Sequence, residues 1–300
     1  MKIRILSDLH LDVNETYPFE LKDKDTFTIL CGDISGDPKI TCDWIANNVK
    51  NGVFVAGNHL VYNNRGLSIE ELRQEMMDSD TGNVQYLDCT VEGCPCVRQL
   101  DENLLVVGST MYTDFKLPFG LGMHSEAENI QANKSASHAR MNDYRWGRTA
   151  RGRMIPDDYI PWFNEFFTVL KKTVEENKDK DIIVATHYCP SPKCISPEYV
   201  DSDVNASYVV PLDDFIVSHP NIKCWACGHV HHQDSFKIGD CVVVMNPRGY
   251  VAHLEDEDFD SRLWIDTKTW KLHKHKKTQK EAAEYERRRK NFMRCSAWFL

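Results

Sequence analysis

The sequence has no apolar run long enough to cross a membrane, and Lys2 and Arg4 interrupt an initial run too short for a signal-peptide core. Neither export nor membrane anchoring is expected. It also lacks a Pro/Gly/Ser-rich linker, a low-complexity tract and a repeat of fixed period, so residues 1–275 are expected to form one unit followed by a charged tail over 276–300. Positive charge is not in excess: 36 Lys and Arg against 45 Asp and Glu leave a formal charge of −9. Broad affinity for long nucleic acid depends on cations that neutralise phosphates, so this balance suits a small phosphorylated substrate better. The eleven cysteines lack disulfide-scaffold spacing. Most sit in apolar runs such as 29–31 and 241–245, as reduced core thiols do, which points to a reducing cytoplasm.

What is present supports a large core. Hydrophobic residues make up 42% of the 300 and charged residues 27%, and a chain of this length buries most of the surface its unfolded form exposes. Short β-rich apolar runs at 3–6, 27–31, 53–56, 104–107, 182–185, 222–226, 242–245 and 263–265 predict strands. Helical patterns at 42–49, 69–77, 159–176 and 212–217 lie between several of them, so the alternation predicts an α/β fold around buried sheets. Residues 112–153 are rich in Asn, Ser, Arg, Gly and Met with weak periodicity. They read either as a lid or substrate-binding insertion, or as a surface excursion with a short helix at 125–140. The tail at 278–294 carries charges at helical spacing, and its basic cluster leaves an acidic partner or nucleic acid open. The apolar terminus at 297–300 leaves docking on the same chain and a homo-oligomer open.

Metal-capable side chains fall within a residue or two of predicted strand ends, where open α/β sheets place their sites. Ser7-Asp8-Leu9-His10 follows the first strand, and in an extended segment Asp8 and His10 project the same way. Gly32-Asp33 follows the second, the glycine permitting close backbone approach and the carboxylate able to bridge two cations. Gly57-Asn58-His59 follows the third, Thr186-His187 a later one, and Gly228-His229-Val230-His231 another. Imidazole and carboxylate together suit Zn, Mn or Fe.

This ordered set, Asp-x-His, Gly-Asp, Gly-Asn-His, His and Gly-His-x-His over residues 8–231, resembles the calcineurin-like metallophosphoesterases. Residues 246–250 resemble the loop that many bacterial and phage members carry after the final His pair. The resemblance implies a four-layer αββα sandwich of two mixed β-sheets flanked by helices. It also implies two divalent ions, one held by Asp8, His10, Asp33 and His231 and the other by Asp33, Asn58, His187 and His229. Such a pair, roughly 3.5–4 Å apart, activates a shared water and clamps phosphoryl oxygens during in-line displacement. The implied reaction is phosphoester hydrolysis. A nucleotide-sized phosphodiester is the expected substrate, with a phosphomonoester or pyrophosphate as the alternative; a nuclease or a non-catalytic scaffold is further from the pattern.

By the same resemblance His59 holds no metal and contacts the phosphate or protonates the leaving oxygen; read alone, it is equally a supporting or surface imidazole. Leu60 departs from the family, which usually carries Glu or Asp there. Arg248 reads as a phosphate clamp with Asn246 beside it, or as an arginine that fixes its own loop. Tyr144, in Met141-Asn142-Asp143-Tyr144-Arg145, reads as a base-stacking residue or as part of a solvated loop. Cys224-Trp225-Ala226-Cys227 before His229 fits a buried strand better than a redox pair, haem attachment or zinc knuckle, since no second Cys pair completes a site. His124, His138, His219, His253, His273 and His275 read as surface or structural. His232 is expected to turn away from the metals by alternation.

Overall fold

The computed structural model describes residues 1–14, 21, 23, 25–62, 65–118 and 125–296. The expectations for His124 and for residues 297–300 lie outside them. In chain order the strands are β1 (Lys2–Leu6), β2 (Thr26–Cys31), β3 (Gly52–Val55), β4 (Val84–Tyr86), β5 (Val97–Asp101), β6 (Leu104–Ser109), β7 (Arg148–Thr149) and β8 (Gly152–Arg153), then β9 (Asp181–Thr186), β10 (Ile222–Cys227), β11 (Asp234–Ile238), β12 (Cys241–Met245), β13 (Trp264–Asp266) and β14 (Lys271–His273). The helices are α1 (Pro38–Asn48), α2 (Ile69–Asp78), α3 (Glu126–Arg140), α4 (Asp143–Trp146), α5 (Tyr159–Glu176), α6 (Asp213–Ser218) and α7 (Gln279–Ser296).

Two six-stranded mixed sheets result, ordered β14-β13-β1-β2-β3-β4 and β11-β12-β10-β9-β6-β5. In each, four strands run parallel, β1 to β4 and β6-β9-β10-β12, and the flanking strands are antiparallel. The apolar runs are nearly continuous because both faces of the inner strands are covered. Ile3, Ile5, Ile29, Val53, Ile183 and Ala226 point into a layer shared by the two sheets. Their neighbours Leu6, Leu30, Phe54, Val184 and Trp225 point the other way, into a larger cluster with the helices. This is the four-layer sandwich that the resemblance implied.

The helices start where local chemistry lets them. Asp37 caps α1 with Pro38 at its first position, and Ser68 and Ser125 cap α2 and α3 in reciprocal boxes with Glu71 and Glu128. In α5, Tyr159, Phe163, Phe166, Leu170 and Val174 recur at three- and four-residue spacing and are all buried. Helix α7 docks through Arg288, whose guanidinium bonds both carboxylate oxygens of Asp256, and through Tyr285, whose hydroxyl donates to Glu257. Among the described residues no helix is long and apolar enough to cross a membrane.

Candidate metal centre

Backbone bonds tie the loops at the strand ends within each sheet, Asp8 N–H to Gly32 O and His10 N–H to Asp33 O in one and Gly228 N–H to His187 O in the other, while Arg248 N–H to Ser7 O and Gly249 N–H to Asp8 O join the two sheets. All seven expected ligands converge there, and six of them are under 9% exposed. Asp8, His10, Asp33, His229 and His231 have φ between 47° and 69°, in the left-handed region. The expectation that an extended segment aims Asp8 and His10 is therefore corrected. Left-handed turns aim them instead, because each such turn swings its side chain out of strand alternation. Glycine is required beside them by close approach: a Cβ on Gly32 would lie 2.4 Å from His187 Nδ1, and one on Gly57 would lie 1.9 Å from Asp33 Oδ1.

Three overlapping donor groups form, with ligand atoms within 4.8 Å of one another: Asp8, His10 and His231; His10, Asp33 and His59; Asp33, His187 and His229. His10 Nε2 and His231 Nε2 are 2.9 Å apart, and His231 Nε2 is 3.4 Å from Asp8 Oδ1. His187 Nε2 lies 3.2 Å from Asp33 Oδ2 and 3.0 Å from Asn58 Oδ1. Donors held about 2.0–2.2 Å from one cation stand roughly 2.9–3.5 Å from each other, so these gaps fit the edges of a coordination shell. Asp33 joins two of the groups.

The outer nitrogens of three imidazoles are held by acceptors: His187 Nδ1 by Cys31 O at 2.8 Å, His229 Nε2 by Ser207 O at 3.1 Å, and His231 Nδ1 by Glu255 Oε2 at 2.6 Å. An acceptor there fixes the proton on the outer nitrogen and leaves the inner lone pair for a cation. His10 Nδ1 is buried without a hydrogen-bond partner among the described residues. Asn58 is oriented by its neighbours: its Nδ2 donates to Tyr62 Oη at 3.1 Å, Tyr62 donates to Asp143 Oδ2 at 2.7 Å, and Tyr159 donates to Asp143 Oδ1 at 2.6 Å.

Burial lowers His187 and His231, but Asp33 outweighs it for the first and Asp8 with Glu255 for the second, leaving them at about 9 and about 10. Burial drives His10 and His229 down to about 3. Burial raises Asp8, yet the bond and charge of His231, with the charges of His187 and His10, bring it to about 2. Asp33 is held well below the carboxylate range, the charges of His187 and His59 outweighing burial.

The centre opens into a cleft of about 610 Å³, reached by His59, Tyr208, Tyr250 and, from the insertion, Arg140, Met141 and Asn142. His59 N–H donates to Asp33 Oδ1, and its Nε2 lies 2.9 Å from Tyr250 Oη. Leu60 is 1% exposed, in the core. His232 lines the cleft rather than turning away, since Gly228 to His231 do not alternate as a strand.

Two expected substrate contacts, Tyr144 and Asn246, are corrected by their burial. Tyr144 is 2% exposed, packed against Tyr159 and His138, so its faces are not available to a base. Asn246 is fully buried, with Nδ2 donating to Ile5 O and Asp260 O and Oδ1 accepting from Gln233 and Asp260 N; its amide ties the loop to β1. Arg248 is half-buried, with Nη1 3.5 Å from Leu9 O, and is not among the described residues that line the cleft. Cys224 and Cys227 are buried strand thiols as expected, though Cys227 meets Cys189 and Cys194 within 4.8 Å. Sequence reasoning missed Glu255, Tyr62, Tyr250 and the carboxylate role of Asp143. Tyr62 follows Asn58 by four residues across one helical turn, a spacing that could have signalled it, whereas Glu255, Tyr250 and Asp143 reach the centre through tertiary approach.

Carboxylate, imidazole and amide donors on loops at the ends of two facing sheets define a metal-dependent hydrolase. The family described as calcineurin-like phosphoesterase matches residues 1–233. This chain belongs to that family, and is a metal-dependent phosphoester hydrolase. No curated protein matches it. Among solved structures, a phosphopantetheinyl hydrolase from Mycobacterium tuberculosis is similar at TM-score 0.64 and 15% identity, covering 93% of this chain and 96% of the other. That likeness concerns the fold. A putative 5′-nucleotidase from Staphylococcus aureus aligns at TM-score 0.48 and 13% identity, covering 97% of this chain and 58% of the other.

Proposed function

We propose that the centre holds two divalent ions, Mn, Fe or Zn, and hydrolyses a nucleotide-sized phosphodiester. Asp8, His10, Asp33 and His231 would hold one ion, and Asp33, Asn58, His187 and His229 the other. The observation that carries this reading is the set of donor gaps of 2.9–3.4 Å on either side of Asp33. When bound, such ions neutralise phosphoryl charge and activate water for in-line attack. His59 faces the cleft beside Asp33 and Tyr250, where its imidazole meets a phosphoryl oxygen or gives a proton to the departing alkoxide. Tyr250 Oη meets the same Nε2 that lies 3.9 Å from Asp33 Oδ2, and would set the ring in place of the carboxylate that Leu60 lacks. The cleft volume suits a ligand of nucleotide size. Among the described residues that line it the guanidinium is that of Arg140, already paired with Asp203, which favours a singly charged diester over a doubly charged monoester.

The test is removal of metal with chelator, reloading with Mn, Zn or Fe separately, elemental analysis, and turnover of a diester and a monoester sharing one leaving group. The expected result is two ions per chain and kcat/KM at least tenfold higher for the diester. Uptake of one ion, or a preference for the monoester, overturns the reading.

A further inference from the structure

Directly after the residues that line the cleft, the chain makes a small arm: α4, then the β7–β8 hairpin. Between residues 140 and 155 it carries Arg140, Arg145, Arg148, Arg151 and Arg153 against one acid, Asp143. That acid is fully buried and taken up by two phenols. Arg140 pairs with Asp203 and Arg151 with Asp158. Arg145, Arg148 and Arg153 are exposed and form no ion pair among the described residues. Arg148 and Arg153 are direct cross-strand partners in a hairpin of two residues per strand. Like charges placed opposite each other destabilise a strand pair, so local stability does not account for this choice. Beside them Trp146 is 66% exposed, a large aromatic with no apolar cover, while its neighbour Tyr144 is buried.

We propose that this arm binds single-stranded nucleic acid and leads it to the cleft. All five cations are arginine, whose planar fork bonds phosphate bidentately and stacks on bases. An exposed indole offers a platform for an unpaired base; the bases of a duplex are already stacked on each other. The rest of the chain is acidic, with a formal charge of −9 overall, so the arm is a local positive feature. The link to the cleft is Arg140, Met141 and Asn142, which line it and precede Trp146 and the hairpin in the chain. That the strand is cut there rests on the proposed function; that it binds does not.

The experiment uses the full chain, chelator-treated for equilibrium binding of a labelled dT 12-mer by fluorescence anisotropy, and metal-loaded for turnover. Three unpaired arginines predict a log–log salt slope of about −2 for binding to a single strand. Trp146→Ala and the double variant R148E/R153E are each expected to weaken binding at least tenfold. In the metal-loaded enzyme they are expected to raise KM for the oligonucleotide while leaving kcat/KM for bis(p-nitrophenyl) phosphate unchanged. No binding by the wild type at 50 mM salt, equal binding of a 12-mer duplex, or unchanged binding by both variants overturns the proposal. Binding that depends on the arm without cleavage after reloading supports the binding and overturns delivery of the strand to the cleft, while the comparison of a small diester with a monoester decides the proposed function separately.

Discussion

Tyr62→Phe removes one oxygen atom that no motif marks, and its effect on metal affinity follows from proton counting. The Asp143 carboxylate only accepts, and it takes the protons of both Tyr62 and Tyr159. Tyr62 Oη, its proton spent, can only accept from Asn58, which fixes the NH₂ toward Tyr62 and Oδ1 toward His187 Nε2. Without the phenol oxygen the amide is free to turn its NH₂ toward a cation. The hydrogen bond itself is worth about 1 kcal/mol, and losing such a support typically costs about 10–100-fold in metal affinity, or roughly 1.4–2.7 kcal/mol. Calorimetric titration of Mn into chelator-treated protein reads this directly. One of two affinities is expected to fall by that factor while the one assigned to Asp8, His10 and His231 changes less than threefold. Asp143→Asn, which keeps an acceptor for Tyr62, is expected to be milder than Asp143→Leu. If Asn58→Ala loses one ion and Tyr62→Phe loses none of its affinity, the relay from Asp143 to Asn58 is refuted.

The imidazoles at about 9 and 10 make metal uptake a proton exchange. At pH 7 His187 and His231 are protonated in the metal-free protein, so loading should release about two protons per chain and tighten as pH rises, levelling off near pH 10. The sign for stability is opposite. These raised values stabilise the metal-free fold fully below the ordinary imidazole value of 6.5, and that contribution is lost as pH rises through 9 to 10. Titration in buffers of different ionisation enthalpy counts the protons, and none released at pH 7 would contradict the assignment. Gly57→Ala drives a methyl into Asp33 Oδ1, and should abolish uptake of both ions and cost about 1–3 kcal/mol of stability. Denaturant unfolding and elemental analysis check it, and a variant that still takes up two ions would show that the loop yields.

The strands were legible where both faces are covered, because 3–6, 27–31 and 182–185 are buried at every position and apolar at all but Arg4 and Thr28. Of the flanking strands only Trp264–Asp266 was, through the run 263–265. Val97–Asp101 alternates half-exposed and exposed residues and is ordered by its partner Leu104–Ser109, not by its own hydrophobicity. Tyr159–Glu176 was legible to the residue because five buried side chains keep helical spacing without interruption. The insertion shows the limit of composition. One turn of α4 turns Asp143 and Tyr144 inward and Arg145 and Trp146 outward. The aromatic that sequence reasoning offered to a base was thus the buried one, and the exposed one was passed over.

The backbone supplies an argument for the site that owes nothing to family resemblance. Ten non-glycine residues among those described have positive φ, and five of them are Asp8, His10, Asp33, His229 and His231. A left-handed conformation costs an L-residue roughly 1–2 kcal/mol, so these five together cost about 5–10 kcal/mol, as much as the whole stability of a typical domain. Glycine would remove that cost at every one of these positions. The other five, Met111, Tyr112, Phe115, Leu254 and Trp270, are scattered apolar or aromatic residues, whereas these five are metal-capable donors gathered in one cluster. The strain is tolerated because Asp8, His10 and the loops around them are tied by backbone bonds to Gly32, Asp33 and His187. The donors are thus held in place before any cation arrives. Binding then spends little on ordering the loops, and affinity is governed by the protons it must displace.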